Sequence, residues 1–134
     1  MRVIKFRGRT KEGIWVYGHL TEFHYPDNIK PRVCFIWEQS EDRYRIEKTQ
    51  VDANTIGQFT GLHDSRGNEI YEGDLVNCRV PLESKPFHTC SVEFFADGWN
   101  FINDDFNICG SPDMIEILEI IGNVHETSNL LNSK

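Results

Sequence analysis

The chain lacks the short motifs by which common catalytic and nucleotide-binding sites are recognised. It contains no Gly-x-Ser-x-Gly, no Walker loop and no Gly-x-Gly-x-x-Gly. No run approaches the ~18 apolar residues that a membrane span needs, and no apolar stretch follows the first charges as in a signal peptide. The five histidines lie far apart and outside any known motif, so we expect them to be solvated or structural. The sequence therefore predicts a cytoplasmic protein without membrane association, and it indicates no cofactor.

Cysteine is scarce, and its spacing argues against a metal site. The four cysteines are Cys34, Cys78, Cys90 and Cys109, and no Cys-x-x-Cys pair occurs. The last three could form a zinc site with His88. Structural zinc ligands usually come in pairs two to four residues apart, however, whereas a single residue separates His88 from Cys90. We therefore expect reduced, buried thiols that behave as small hydrophobic side chains, and no bound metal.

Charged residues are abundant but unevenly distributed. The 134 residues include 14 Lys and Arg against 21 Asp and Glu, a net charge of −7. The first eleven residues carry +5, so the remainder of the chain carries −12. A body with this charge repels the phosphates of nucleic acids. Net charge therefore disfavours a nucleic-acid partner unless the basic end is presented separately.

Alternation of polar and apolar residues predicts a mainly β fold built from antiparallel hairpins. Residues 3–9 and 15–20 alternate in this way, and the glycine-bearing segment between them predicts a hairpin connection. Residues 33–37 and 44–48 predict a second antiparallel pair. The proline-bounded segment 26–31, which precedes that pair, predicts a loop.

The segment from Ile56 to Val76 carries a further hairpin signal. Its three apolar runs are separated by polar turns that contain Gly67 and Gly73. Asp64 opens the first turn three residues before Gly67, a pattern typical of a type I turn closed by a left-handed residue. We therefore expect a β-hairpin here, with Gly67 at positive φ.

The second half of the chain continues the β pattern. Residues 74–80 predict a strand that Pro81 ends, with a loop at 81–86. Asp97-Gly98 predicts a type I′ turn with Gly98 at positive φ, between strands at 91–96 and 99–103.

The C-terminal segments are mixed in character. Residues 103–113 are rich in turn formers and predict a loop, whereas the β-branched residues of 114–124 favour a strand. One short C-terminal helical turn is predicted near Thr127. At 134 residues we expect a single domain, 1–134, with two lobes of about 1–55 and 56–134 as the alternative.

Three blocks of sequence resemble the YopX-like family of bacteriophage and prophage proteins. They are Lys5-Phe6-Arg7-Gly8 with Trp15-Val16-Tyr17-Gly18, the segment from Ile56 to Asp74, and Ile120-Ile121-Gly122-Asn123-Val124 followed by Glu126 and Leu130-Leu131. The resemblance covers essentially the whole chain. It implies a mainly β protein whose C-terminal half is similar to a small SH3-like barrel, encoded by a phage or an integrated prophage.

The resemblance carries over no catalytic or binding residues, because small barrels host many unrelated activities. The matching motif positions are expected to be structural. They are Gln58, Thr60, Gly61, Asp64, Gly67, Tyr71, Glu72, Gly73, Asp74, Gly122 and Asn123.

The N-terminal strand offers a candidate binding surface. Lys5, Arg7 and Arg9 share one face of it, and Trp15 and Tyr17 lie on the expected partner strand. A basic groove combined with aromatic side chains is typical of single-stranded nucleic acid binding, where each stacked base contributes roughly 1–3 kcal/mol. The structural alternative has the aromatics in the core and the basic stripe in solvent or against acidic segments. Net charge favours that alternative.

An acidic cluster offers a second candidate. Glu69, Glu72 and Asp74 lie beside the central turn with Asp64 near, and paired carboxylates can bind a divalent cation or serve as acid and base. Their spacing lacks the alternating ligands of a calcium loop. A turn in which Gly73 supplies the bend and Asp74 caps backbone N–H groups is the simpler interpretation.

The sequence thus ranks three functions. The first is a non-enzymatic accessory protein that binds another macromolecule, either an unidentified protein or a second copy in a homo-oligomer, because exposed strand edges are natural docking sites. The second is a nucleic-acid-associated factor that uses the basic N-terminal strand. The third is an enzyme or a metal-dependent activity at Glu69, Glu72 and Asp74.

Overall fold

The structure is a computed structural model that describes residues 3–24, 26, 32–79, 88–95, 98–103, 108–110 and 115–126. Strands dominate these residues, which confirms the predicted mainly β class. The first five are β1 (Phe6–Arg9), β2 (Trp15–Phe23), β3 (Val33–Gln39), β4 (Ile46–Val51) and β5 (Gly57–His63), with a short 3₁₀ helix at Ala53–Thr55. The other six are β6 (Glu69–Tyr71), β7 (Asp74–Arg79), β8 (His88–Phe95), β9 (Gly98–Ile102), β10 (Ile108–Gly110) and β11 (Glu116–Asn123).

Two compact units divide the chain. Unit 1 is Met1–Phe59 and unit 2 is Thr60–Lys134, so the boundary falls inside β5. Each unit has its own cluster of buried apolar side chains. Within the described ranges, no helix has the length and apolar character needed to cross a membrane.

Unit 1 is an antiparallel sheet in which the strands lie in the order β4-β3-β2-β1-β5. This pairing confirms both hairpins predicted for the first half of the chain. One face of the sheet packs a core around Val16, Cys34, Ile36 and Val51. The pKa of the Cys34 thiol is raised by burial and by the carboxylate of Glu22, which keeps the thiol protonated.

Glycine is required where β2 meets β3. A Cβ atom on Gly18 would lie 2.1 Å from the carbonyl oxygen of Trp37, far inside van der Waals contact. Gly8 in β1 is also crowded, but there the nearest atom is Cγ2 of the Val51 side chain, at 2.6 Å. The sheet can therefore form its close backbone approach only with a residue that has no side chain at position 18.

Unit 2 contains the end of β5 with β6, together with an antiparallel sheet in the order β10-β9-β8-β7-β11. The strand predicted for 114–124 is present as β11. Its core includes Cys78 and Cys90, both fully buried among apolar side chains such as Val92 and Phe101. Cys34, Cys78 and Cys90 thus sit where small hydrophobic side chains are expected. An SH3-like barrel stays a prediction for this unit.

Two local predictions for unit 2 are wrong. The segment 103–113, predicted as a loop, contains β10, which pairs with β9 through its backbone despite the turn-rich composition. Gly98 is not at positive φ. It pairs with Phe95 as the first residue of β9, so it belongs to a strand and not to the predicted turn.

Three further predictions concern residues that the structure does not describe. The loop predicted at 81–86 and the helical turn predicted from Thr127 onward lie outside the described residues. The loop predicted at 26–31 does so except for Pro26.

Candidate functional site

Asp64 is the centre of the hydrogen-bonding in unit 2. Its carboxylate is only 6% exposed and accepts hydrogen bonds from the backbone N–H groups of Arg66 and Asn68, both at 2.9 Å, and of Ile120 at 3.3 Å. The side-chain amide of Asn68 donates a fourth, at 3.2 Å. Burial by itself raises the pKa of Asp64, but these donors outweigh it, so the pKa lies below its usual value. The ionised carboxylate therefore fixes the turn after β5 and ties it to β11.

Gly67 closes this turn as predicted, with φ of +86° and its N–H donating to the Asp64 carbonyl at 3.0 Å. We expect Gly67→Val to lower the free energy of unfolding by more than about 1 kcal/mol, because β-branched residues tolerate positive φ poorly. Nothing lies within 4 Å of the added Cβ, so the cost is conformational. Gly98→Val is the matched control, since Gly98 has equal space and no positive φ. Urea unfolding of both variants checks this, and equal midpoints would contradict it.

The second turn of the family motif is held equally firmly. Gly73, at φ +90°, donates its N–H to the Val92 carbonyl at 2.9 Å and accepts the Val124 N–H at 2.8 Å. Asp74 is 2% exposed, and its carboxylate accepts the Tyr71 N–H at 2.8 Å. This is the capping geometry expected of a structural carboxylate.

The remaining motif residues also make structural contacts. The Thr60 hydroxyl donates to the Ile70 carbonyl at 2.8 Å and accepts the Leu62 N–H at 3.0 Å. The other positions are as follows: Gly61 has φ of +84°, Gln58 pairs with Phe6, Gly122 pairs with Leu75, and Asn123 pairs with Asp74. In the part of the chain that the structure describes, the motif thus builds turns and strand ends of unit 2, apart from Gln58, which lies in unit 1.

Among the described residues, the carboxylates of the acidic cluster make separate contacts. Glu69 accepts the Tyr71 hydroxyl at 3.2 Å, Glu72 is half-buried, and Asp64 and Asp74 serve separate turns. No three His, Cys, Asp or Glu side chains among the described residues are arranged to hold a metal ion. The arrangement therefore gives no geometric support to catalysis or metal binding at these carboxylates.

The basic strand and its aromatic partners do meet on one face of unit 1. Arg7 pairs with Tyr17 and Arg9 with Trp15, and the Arg7 guanidinium lies 4.7 Å from the centre of the Trp15 ring. Lys5 lies 5.1 Å from the Phe59 ring centre. Trp15 and Tyr17 are on the face opposite the core cluster of Val16, which contradicts the alternative that placed them inside, whereas Phe59 is buried. Arg7 itself is only 6% exposed, so it is not a surface ligand for phosphate.

Strand register defines the full extent of this face, because directly paired residues of an antiparallel sheet point to the same side. We call it the outer face. On β2, β3 and β4 it comprises Trp15, Tyr17, His19, Thr21, Phe23, Val33, Phe35, Trp37, Gln39, Ile46, Lys48 and Gln50.

Lys48 and two aromatic rings form the centre of the exposed part of the outer face. The Lys48 ammonium lies 4.7 Å from the Phe35 ring centre and 5.4 Å from that of Trp37. The Trp37 indole donates to the Thr21 hydroxyl at 2.8 Å, which fixes the ring. Tyr17, 44% exposed, and Phe23, 56% exposed, lie on the neighbouring strand. Sequence reasoning missed Phe35, Trp37 and Lys48, although the alternation of Phe35 and Trp37 with the core residues of β3 carried the signal.

The outer face has no acidic residue at its strand positions. The carboxylates of β2, β3 and β4 belong to Glu22, Glu38 and Glu47, which the alternation of side chains places on the opposite face. Charge is also divided between the units. Unit 1 has ten Lys and Arg against eight Asp and Glu, a net charge of +2, whereas unit 2 has four against thirteen, a net charge of −9.

The chain belongs to the YopX protein family, which residues 5–132 match. Its structure is similar to the crystal structure of protein EF1440 from Enterococcus faecalis, with 23% sequence identity and a TM-score of 0.53. The similarity covers 98% of this chain and 99% of that chain. At this identity it shows the fold alone. No curated protein matches the chain.

Proposed function

We propose that this protein is a non-enzymatic module that binds another macromolecule through the outer face of unit 1. The observation that carries the proposal is the cluster of the half-buried Phe35 and Trp37 with the exposed Lys48, with the exposed Tyr17 and Phe23 on the neighbouring strand. None of these side chains belongs to the core cluster of unit 1, which is built around Val16, Cys34, Ile36 and Val51. Exposed aromatic side chains grouped in this way are typical of interaction surfaces.

The family supports the setting in which such a module would act. Three blocks of the sequence resemble the YopX-like family of bacteriophage and prophage proteins. We therefore propose an accessory role in a phage or prophage, in the cytoplasm of the bacterial host. The sequence favours a protein or a second copy of the chain as partner.

Light scattering over a wide concentration range tests whether the partner is a second copy of the chain. A monomer mass at every concentration would exclude it.

Affinity capture from host cells with the phage or prophage induced tests the proposed function. The bait is the tagged full-length protein, compared with a double variant, Phe35→Ser with Lys48→Glu, in parallel arms with and without nuclease. The matched control is Phe94→Ser, because Phe94 is an exposed aromatic, 53% exposed, in unit 2. We expect a partner that the double variant loses and the control retains. Capture that is the same with all three baits would show that the outer face does not bind it.

A further inference from the structure

We propose that the partner of the outer face is a single-stranded nucleic acid, an inference that rests on the proposed function. The face combines a cation with flat aromatic rings on adjacent strands: the exposed Lys48 with the half-buried Phe35 and Trp37. Single-stranded DNA and RNA supply the complement to both, because their phosphates are anionic and their unpaired bases stack on aromatic side chains. An extended strand lies across β2, β3 and β4 with bases on Phe35 and Trp37 and a phosphate beside Lys48.

Local charge supports this partner although the whole chain is acidic. Unit 1 has a net charge of +2, and the strand positions of its outer face carry no Asp or Glu. At physiological ionic strength charges interact over roughly 8 Å, so the attraction depends on the charges within that range and not on the net charge of the whole chain. A difference in charge between two halves of a chain is itself an indicator of nucleic-acid binding.

The shape of the site favours single strands over duplexes. Phe35 and Trp37 are half-buried members of the strand β3, so their rings lie at the sheet surface and do not project far enough to enter a groove. Bases stacked inside a duplex cannot reach such rings, whereas those of a single strand can splay onto them. The Trp37 ring is held by Thr21, which reduces the entropy lost when a base stacks on it.

The test uses fluorescence anisotropy of the full-length protein with labelled oligo(dT), oligo(U) and a duplex, at 50 mM and 150 mM salt (roughly the range over which phosphate contacts lose affinity). We expect single strands to bind, the duplex to bind more weakly, and affinity to fall as salt rises. The two single-stranded probes separate DNA from RNA as the preferred ligand.

Trp37→Ala should weaken binding by about 10-fold through lost stacking, and Trp37→Phe should restore most of it. Lys48→Ser should flatten the salt dependence by about 0.7 in log–log slope, as for one phosphate contact.

Phe94→Ala is the control for non-specific stacking and should bind as the wild type does. Circular dichroism checks that each variant is folded. If Trp37→Ala does not fold, Trp37→Phe and Lys48→Ser still test the site. Absence of binding at both salt concentrations, or binding that the outer-face variants leave unchanged, would overturn this inference. If no oligonucleotide binds while cell capture still depends on the outer face and resists nuclease, the partner is a protein and the proposed function stands. If neither oligonucleotide binding nor cell capture depends on the outer face, the proposed function and this inference are both wrong.

Discussion

Gly18→Ala is expected to lower the free energy of unfolding by at least about 3 kcal/mol, at the upper end of the effects of overpacking. The added Cβ would lie 2.1 Å from the Trp37 carbonyl oxygen and 3.0 Å from its carbonyl carbon. Both are backbone atoms, so no side-chain rotation can relieve the overlap. The only relief is to separate β2 from β3, which are paired from His19–Trp37 to Phe23–Val33.

Two other glycines make this a graded series. Gly8→Ala meets side-chain atoms of Val51 at 2.6 Å and 2.8 Å, which can shift, so its effect should be intermediate. Gly98→Ala meets nothing within 4 Å and should be nearly neutral. Urea unfolding followed by tryptophan fluorescence and by circular dichroism measures all three. A Gly18→Ala midpoint equal to that of Gly98→Ala would show that β2 and β3 do not approach as described.

Asp64→Ala is expected to lower the free energy of unfolding by about 2–4 kcal/mol, because several partly buried N–H groups lose a charged acceptor. The donors are Arg66, Asn68 and Ile120, so both the central turn and its tie to β11 are affected. Asp42→Ala is the matched control. Asp42 also has a lowered pKa, through the Ser40 hydroxyl and the Tyr44 N–H, but it lies in an exposed loop and its removal should have a much smaller effect. Equal melting temperatures for the two variants would contradict the role of Asp64.

The lowered pKa of the Asp64 carboxylate also makes the stability of the folded state depend on pH. The pKa of Asp64 is lower in the folded state than the ordinary value near ~3.9, so the unfolded chain binds this proton at higher pH. The stabilisation of the folded state by the ionised Asp64 carboxylate is therefore complete above about pH 4, and it is lost as the pH falls through the folded-state pKa. Asp64→Asn should lose less stability than the wild type over that acidic range. Parallel acid-unfolding curves for the two proteins would show that Asp64 is not the responsible group.

Much of the fold follows from local patterns. The alternation correctly separated Val16 and Leu20 from Trp15 and Tyr17 on the two faces of β2, because side-chain direction reverses at each strand residue, but it did not show which face holds the core. Gly67 was correctly placed at positive φ, since the turn that Asp64 opens leaves little other choice. Patterns of this kind are local and need no knowledge of distant partners.

What the sequence missed depends on tertiary neighbours. Pairing with β9 makes β10 a strand although the segment around it is rich in turn formers, and the register of β8 with β9 places Gly98 in a strand and not in the predicted turn. The candidate site was only partly found. Arg7 belongs to the expected face but is buried, and Phe35 and Trp37 resemble core residues by composition while lying opposite the core. Burial is a property of the assembled sheet, so composition alone could not assign it.

The position of the boundary within β5 decides how this protein can be dissected. The Phe59 N–H donates to Lys5 in unit 1, while the hydroxyl of the next residue, Thr60, donates to Ile70 in unit 2. Dividing the chain between Phe59 and Thr60 would interrupt β5, so each fragment would end in an incomplete strand with unpaired backbone groups. Domains that are joined by a flexible linker can be separated without this loss. The roles of the two units are therefore best separated by single substitutions, because truncation at this boundary would disrupt β5.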